Sequence, residues 1–237
     1  MKRVFVRGDC HGDFNWLPQW CENVHATYDD YLIILGDAGI NYYLNQKDKN
    51  RKELISSCTV NIISVQGNHE ERPRNIESYN LSYLGNGPID GYFWIEENYP
   101  NIMFPDNGDF YLYDKRFLVA DGAYSVDRFY RLINGWNWFE DEQMNDDDKK
   151  KIEAAIKQSP HFDFILSHTC PRTLEPVHLY LNGIDQTDID KTTEDYLQEI
   201  YNRVSFRRWY FGHFHNDETN GLDSKVRMKY KNIERII

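Results

Sequence analysis

Asp9, His11, Asp37, Asn68, His168, His213 and His215 are all residue types that ligate divalent cations, and most stand just past a short apolar run, often behind a glycine. Two cations roughly 3.5–4 Å apart can clamp a phosphoryl group and activate water for in-line attack. Such a pair needs a carboxylate between its members to offset their repulsion, and Asp37 is the natural bridge. Imidazole donors favour manganese, iron, zinc or nickel over magnesium, which prefers oxygen. Asn68 adds a neutral oxygen that limits the negative charge of the set. Singly, these residues have ordinary readings: aspartate after glycine commonly caps a helix or turns the chain, a lone histidine is commonly structural, and a lone asparagine commonly marks a turn. Their joint placement at the ends of strands outweighs those readings.

The strands that must position them are short, rich in β-branched or aromatic residues, and stopped by polar tips. Residues 4–6 (VFV) lead into Gly8-Asp9, residues 31–35 (YLIIL) into Gly36-Asp37, and residues 60–65 (VNIISV) into Gly67-Asn68-His69. Residues 162–166 (FDFIL) lead into Ser167-His168, and residues 209–211 (WYF) into Gly212-His213. Sites in open α/β sheets form just beyond the carboxyl ends of strands. In extended backbone, Asp9 and His11 would point the same way, with Cys10 pointing elsewhere. Residues 193–204 put Tyr196, Leu197, Ile200, Tyr201 and Val204 on one helical stripe. Residues 146–159 open with acids, which suits a helix dipole, turn Ile152, Ala155 and Ile156 inward, and stop at Pro160. Glycine, asparagine and proline punctuation between residues 81 and 120 predicts hairpins. The alternation of Lys225, Arg227, Lys229 and Lys231 with Val226, Met228 and Tyr230 predicts a strand with one solvated face.

Taken together, Asp9-x-His11, Gly36-Asp37, Gly67-Asn68-His69-Glu70, His168 and Gly212-His213-x-His215 resemble, in order, the five motifs of the calcineurin-like metallophosphoesterases. The resemblance implies the α/β class in a four-layer arrangement of the α+β type, a two-sheet β-sandwich flanked by helices. It implies a single domain over residues 1–237, and loops on a rigid scaffold carry specificity, so substrate choice is expected in the hairpin and loop region at about 81–145. It also implies a dinuclear centre: Asp9, His11 and His215 on one ion, Asn68, His168 and His213 on the other, and Asp37 bridging. Manganese is the first expectation, with iron or zinc as alternatives. The activity implied is hydrolysis of a phosphomonoester or phosphodiester by a metal-activated hydroxide. Asp37 and His69 are then the catalytic residues, with His69 donating a hydrogen bond or proton near the leaving group. Many relatives place an acid three positions after the bridging aspartate to orient that histidine. Here the position is Ile40, which leaves Glu70 or Asp13 as replacements.

Bulk properties narrow the partners. The chain has 237 residues, a net charge of −11 and an ordinary apolar share of 41%. An acidic balance argues against an extended grip on nucleic acid, although bound metals invert the charge of a pocket locally. The expected substrate is therefore a phosphate ester on a small molecule, nucleotide or phosphoprotein. No stretch approaches the about 20 apolar residues of a membrane helix, and the apolar run near the N-terminus is too short for a signal-peptide core. Cys10, Cys21, Cys58 and Cys170 contain no C-x-x-C pair, which fits a reducing compartment and predicts a cytoplasmic protein.

Other residues divide between plain and functional readings. Arg128 or Arg131 could meet substrate phosphate, since guanidinium binds it in a fork; the competing reading is a structural ion pair. Cys10 and Cys170 read as packing residues, Trp136, Trp138 and Phe139 as loop packing, and His25, His161 and His178 as structural. Two further functions compete with the hydrolase: a non-catalytic metal-binding scaffold or interaction module on the same fold, and a nuclease.

Overall fold

A computed structural model of the chain describes residues 2–180, 187, 189–221 and 223–237. Its first half runs β1 (Arg3–Arg7), α1 (Leu17–Val24), β2 (Asp30–Ile34), α2 (Gln46–Ser56), β3 (Asn61–Ser64), β4 (Tyr79–Leu84), β5 (Ile89–Glu96) and β6 (Ile102–Pro105). The second half runs β7 (Gly108–Leu112), β8 (Lys115–Ala120), α3 (Arg128–Ile133), α4 (Asp146–Gln158), β9 (His161–Ser167), α5 (Thr192–Arg203), β10 (Ser205–Phe211), β11 (Glu218–Thr219), β12 (Val226–Met228) and β13 (Glu234–Arg235). The strands expected before the five motif tips all form, and the hairpins appear as the antiparallel pairs β4–β5 and β7–β8.

The fold is mixed α/β around one large curled sheet, not two separate sheets. The strands follow the order β11-β12-β10-β9-β8-β7-β5-β6-β3-β2-β1-β13, with β4 on β5. The join is β5, which pairs through Phe93, Trp94 and Ile95 with β6 and through Ile89 and Asp90 with β7. A single long strand thus serves both halves, so the ladder is continuous where the sequence motifs had implied a break. Residues from both halves, among them Val4, Ile33, Phe93, Phe117, Phe164 and Tyr210, meet in one buried cluster between them. Phe110, Phe117 and Phe164 stack there with centroids 5.0 and 4.8 Å apart.

Helices cover the outer faces. Leu17 and Cys21 of α1 and Ile55 of α2 pack on the half carrying β1, β2 and β3. Ile152, Ala155 and Ile156 of α4, with Tyr196, Leu197 and Ile200 of α5, pack on the half carrying β8, β9 and β10. Asn145 caps α4 in a capping box with Asp148, which satisfies orphan amides of the first turn. The alternation at 225–231 is realised only in part. Val226 and Met228 turn inward, but β12 ends at Met228, and Lys229 is buried with its ammonium 3.5 Å from Glu234 and 3.7 Å from Asp217. Once the pleat stops, the period-two rule no longer assigns the next side chain a face.

The pairing of Arg3 with Asp30 across β1 and β2 supplies a pH-dependent part of the stability. The buried Asp30 carboxylate accepts from Arg3 at 2.9 and 2.6 Å and from the Thr27 amide at 2.8 Å. Burial pushes its pKa up, but Arg3 and Thr27 more than offset that and hold it below the usual carboxylate value. The contribution is therefore complete above the unfolded value near 3.8 and is lost as pH falls through the lower folded value. An acid titration of thermal unfolding should show this loss, and Asp30→Asn should flatten that part of the slope.

Candidate functional site

Strands β1, β2 and β3 run parallel, as do β9 and β10, so their carboxyl ends gather within each half. The curl brings the two groups of loops together. The His213 amide donates to Asp9 Oδ1 at 2.9 Å, and Nδ1 of His168 donates to the Leu35 carbonyl at 2.7 Å. The approach is close enough to require glycine. A Cβ on Gly67 would lie 2.0 Å from Asp37 Oδ1, and one on Gly212 would lie 2.4 Å from Asp9 Oδ1.

All seven residues singled out by the motifs converge here. Asp9 Oδ2 lies 3.3 Å from His215 Nε2 and 3.7 Å from His11 Nε2, and the two imidazole nitrogens are 2.8 Å apart. Asp37 Oδ2 lies 3.5 Å from His168, 3.9 Å from His69 and 4.0 Å from His11. Asn68 Oδ1 is 2.9 Å from His168 Nε2, and its amide nitrogen donates to Ser125 Oγ at 2.8 Å. His213 packs its ring 4.9 Å from that of His168. Asp9 and His11 do share a target, but not through extended backbone: β1 has ended, and His11 is left-handed at φ 47°. Asp37, His213 and His215 are left-handed as well, at φ 49°, 67° and 52°. Conformations of this kind cost about 1–2 kcal/mol each for residues with a Cβ, and their concentration at one place marks a functional site.

The atoms fit cations. Asp9 Oδ2 is buried and has no hydrogen-bond partner. Because His168 Nδ1 donates to Leu35, a neutral ring presents the lone pair of Nε2 to the oxygens of Asn68 and Asp37. That arrangement is repulsive unless a positive centre stands among the three atoms. A proton meets the need in part: burial depresses the basicity of His168, but Asp37 outweighs it and lifts the pKa to about 10. Burial works against the Asp37 carboxylate, yet His168, then His69 and His11, hold its pKa well below the ordinary range. Burial and His168 together lower His213 to about 3, which keeps it a neutral lone-pair donor. Three groups, Asp9/His11/His215, His11/Asp37/His69 and Asp9/Asp37/His168, could each hold an ion.

Neither Glu70 nor Asp13 meets His69. Glu70 is buried, accepts from the Gly67 amide at 3.3 Å and is pushed up to about 8 by burial and Asp37. Asp13 accepts from Asn15. The group beside the His69 ring is Arg131, which is 1% exposed and anchored to Asp127 at 2.8 Å. A guanidinium can only donate, so it faces a ring lone pair. Burial first, with help from Arg131, lowers His69 to about 4 despite the opposing pull of Asp37. Arg131 thus sits behind His69 rather than in the open, and Arg128 lies over the Trp138 ring at 3.9 Å. Neither is among the residues lining the two clefts that flank the site.

Sequence reasoning missed the walls of those clefts. Tyr124 and Val126 line the larger one, but so do Leu179, Tyr180 and Phe214, which lie outside the 81–145 region. Arg51 lines the smaller one. Only Phe214 carried a signal, standing between His213 and His215. The turn between β4 and β5 lies instead with Tyr31 and Asn61, near the amino ends of β2 and β3.

The calcineurin-like phosphoesterase family matches residues 2–217. A solved structure of TT1561 of Thermus thermophilus is similar over 99% of this chain and 97% of that one, with a TM-score of 0.52 at 12% identity. A second solved structure is similar over 99% and 98%, with a TM-score of 0.52 at 13% identity. At these identities the likeness concerns the fold. No curated protein matches the chain significantly.

Ser125 is the least obvious residue of the site. It is fully buried, takes the Asn68 amide, and is itself fixed by Glu142 Oε1 at 3.0 Å from its own N–H. Residues that orient a ligand commonly tune metal affinity about 10–100-fold. Ser125→Ala should therefore weaken divalent-cation binding at this site by about tenfold or more, read by calorimetry with manganese as the probe, with the far-ultraviolet circular dichroism retained.

Proposed function

The chain belongs to the calcineurin-like phosphoesterase family, and we propose that it is a dinuclear metal-dependent hydrolase of phosphoric esters. The observation that carries this reading is Asp37 Oδ2, a buried carboxylate oxygen within 4.0 Å of imidazoles from three different loops. In this reading Asp9, His11 and His215 would hold one ion, Asn68, His168 and His213 would hold the other, and Asp37 would serve both. Manganese, or else iron or zinc, suits a set so rich in imidazole. The ions, when bound, supply Lewis acidity and activation of water.

The chain's own residues do the rest. Asp9 and Asp37 bring negative charge to a buried place and so attract the ions. Ser125 fixes the Asn68 oxygen, and Leu35 fixes the tautomer of His168. His69, kept neutral by burial and by Arg131 against its ring, is the group beside Asp37 that would serve the leaving oxygen. The four cysteines are buried and free, which supports a reducing, cytoplasmic setting. No helix among the described residues is long and apolar enough to cross a membrane.

Removal of metal by chelation should abolish hydrolysis of aryl phosphate esters, and added manganese should restore it. Asp37→Asn should lower the rate by about a hundredfold or more even in excess manganese. Full metal occupancy without turnover of any ester would instead favour the scaffold.

A further inference from the structure

Two clefts open on either side of His69. The larger, about 440 Å³, is bounded by Asp37, Asn68, His213 and His215 on its ligand side, and its far wall is mostly apolar. That wall is mainly Tyr124, Val126, Leu179, and the rings of Tyr180 and Phe214, which lie within 17° of parallel with centroids 6.4 Å apart, with the charged Asp127, Lys191 and Glu194 also on the lining. The smaller, about 180 Å³, runs from His11 and His69 to Tyr42, Tyr43 and Arg51. A cavity of roughly 150 Å³ takes a benzene-sized group, so each cleft can receive an organic substituent.

A phosphomonoester has one organic substituent and needs one cleft. The structure has two, meeting at the same histidine, His69, whose ring stands 3.9 Å from the Asp37 carboxylate. Resting on the phosphoesterase reading above, we propose that the substrate is a phosphodiester, with a planar, largely apolar substituent in the large cleft and a smaller acceptor-bearing substituent against Arg51. The character of Arg51 decides the second part. Its guanidinium is fixed by the Gly39 carbonyl at 2.8 Å and Asp48 at 3.1 Å, and it packs against Gly12 beside His11. The carboxylate of Asp48 already balances its charge, so it suits a neutral hydrogen-bond acceptor better than a second phosphate. In the reaction, water adds across one P–O bond. The new P–O bond forms as the bond to the leaving oxygen breaks, the water proton ends on that oxygen, and a monoester and an alcohol result. The monoester occupies one cleft only and is held less well than its parent, which favours release.

The test uses the metal-loaded full chain. Turnover is compared for bis(p-nitrophenyl) phosphate and p-nitrophenyl phosphate. Binding is measured calorimetrically for diphenylphosphinate, phenylphosphonate and inorganic phosphate, all inert. The diester should be turned over with a kcat/KM about tenfold or more above that of the monoester, and diphenylphosphinate should bind more tightly than phenylphosphonate despite its lower charge. Val126→Glu in one cleft and Tyr43→Ala in the other, both at exposed positions, should each weaken diphenylphosphinate about tenfold and affect inorganic phosphate much less. Equal or better use of the monoester, or an effect of only one of the two variants, would overturn the proposal. No turnover of either ester, with diphenylphosphinate binding still weakened by both variants, would remove the hydrolytic reading and leave the two-cleft recognition standing. Absence of both turnover and binding would remove both.

Discussion

The Asp37 carboxylate is the group on which the site turns. It is 1% exposed, a position where an unpaired charge is prohibitively costly. Its compensation comes from imidazoles belonging to β1, β3 and β9 loops, so no single segment could stabilise it. One oxygen also accepts from the His69 amide at 2.8 Å, which ties the β2 and β3 loops to each other through the same carboxylate. Loss of any one of these partners leaves a buried charge short of compensation, and the three loops therefore stand or fall together.

The curled sheet makes that convergence possible. Parallel pairing places the tips of β1, β2 and β3 on one edge, and the sharing of β5 between both halves returns the chain so that β9 and β10 end opposite them. The stacked phenylalanines between the halves fix their separation. The closeness of the opposed loops appears at Gly67 and Gly212, where carboxylate oxygens occupy the space a side chain would need. Four of the converging residues hold left-handed backbones, a local strain that a rigid scaffold on both sides can sustain.

Charge at the site is set by a few close groups rather than by the sign of the whole chain. The net charge is −11, yet the immediate neighbours of Asp37 include three imidazoles, and Arg131 stands behind His69. Ordinary ion pairs occupy much of the remaining charge, as in the network of Arg72 and Arg74 with Asp121, Asp141 and Asp148. The acidic surplus therefore does not describe the pocket, where a few fixed groups at short range outweigh distant, screened ones.

The metal-capable residues were legible in the sequence because each follows an apolar run that must form a buried strand, and a strand end fixes where its next polar residue emerges. The helices of 146–158 and 192–203 were legible for a similar reason, a periodicity that only one local structure satisfies. What lay beyond the sequence was everything set by contacts between distant segments. The sheet is one rather than two because β5 is long enough to pair on both sides. Arg131 meets His69 across 62 positions, and Arg51 reaches the site only because α2 lies against the loop after β1. Tyr180 and Phe214 form one wall although neither marks a motif. Local sequence determined which residues emerge at strand ends, since burial and period act within a few positions. Only the tertiary structure decided what those residues face, because long-range packing and electrostatic compensation depend on where the chain returns.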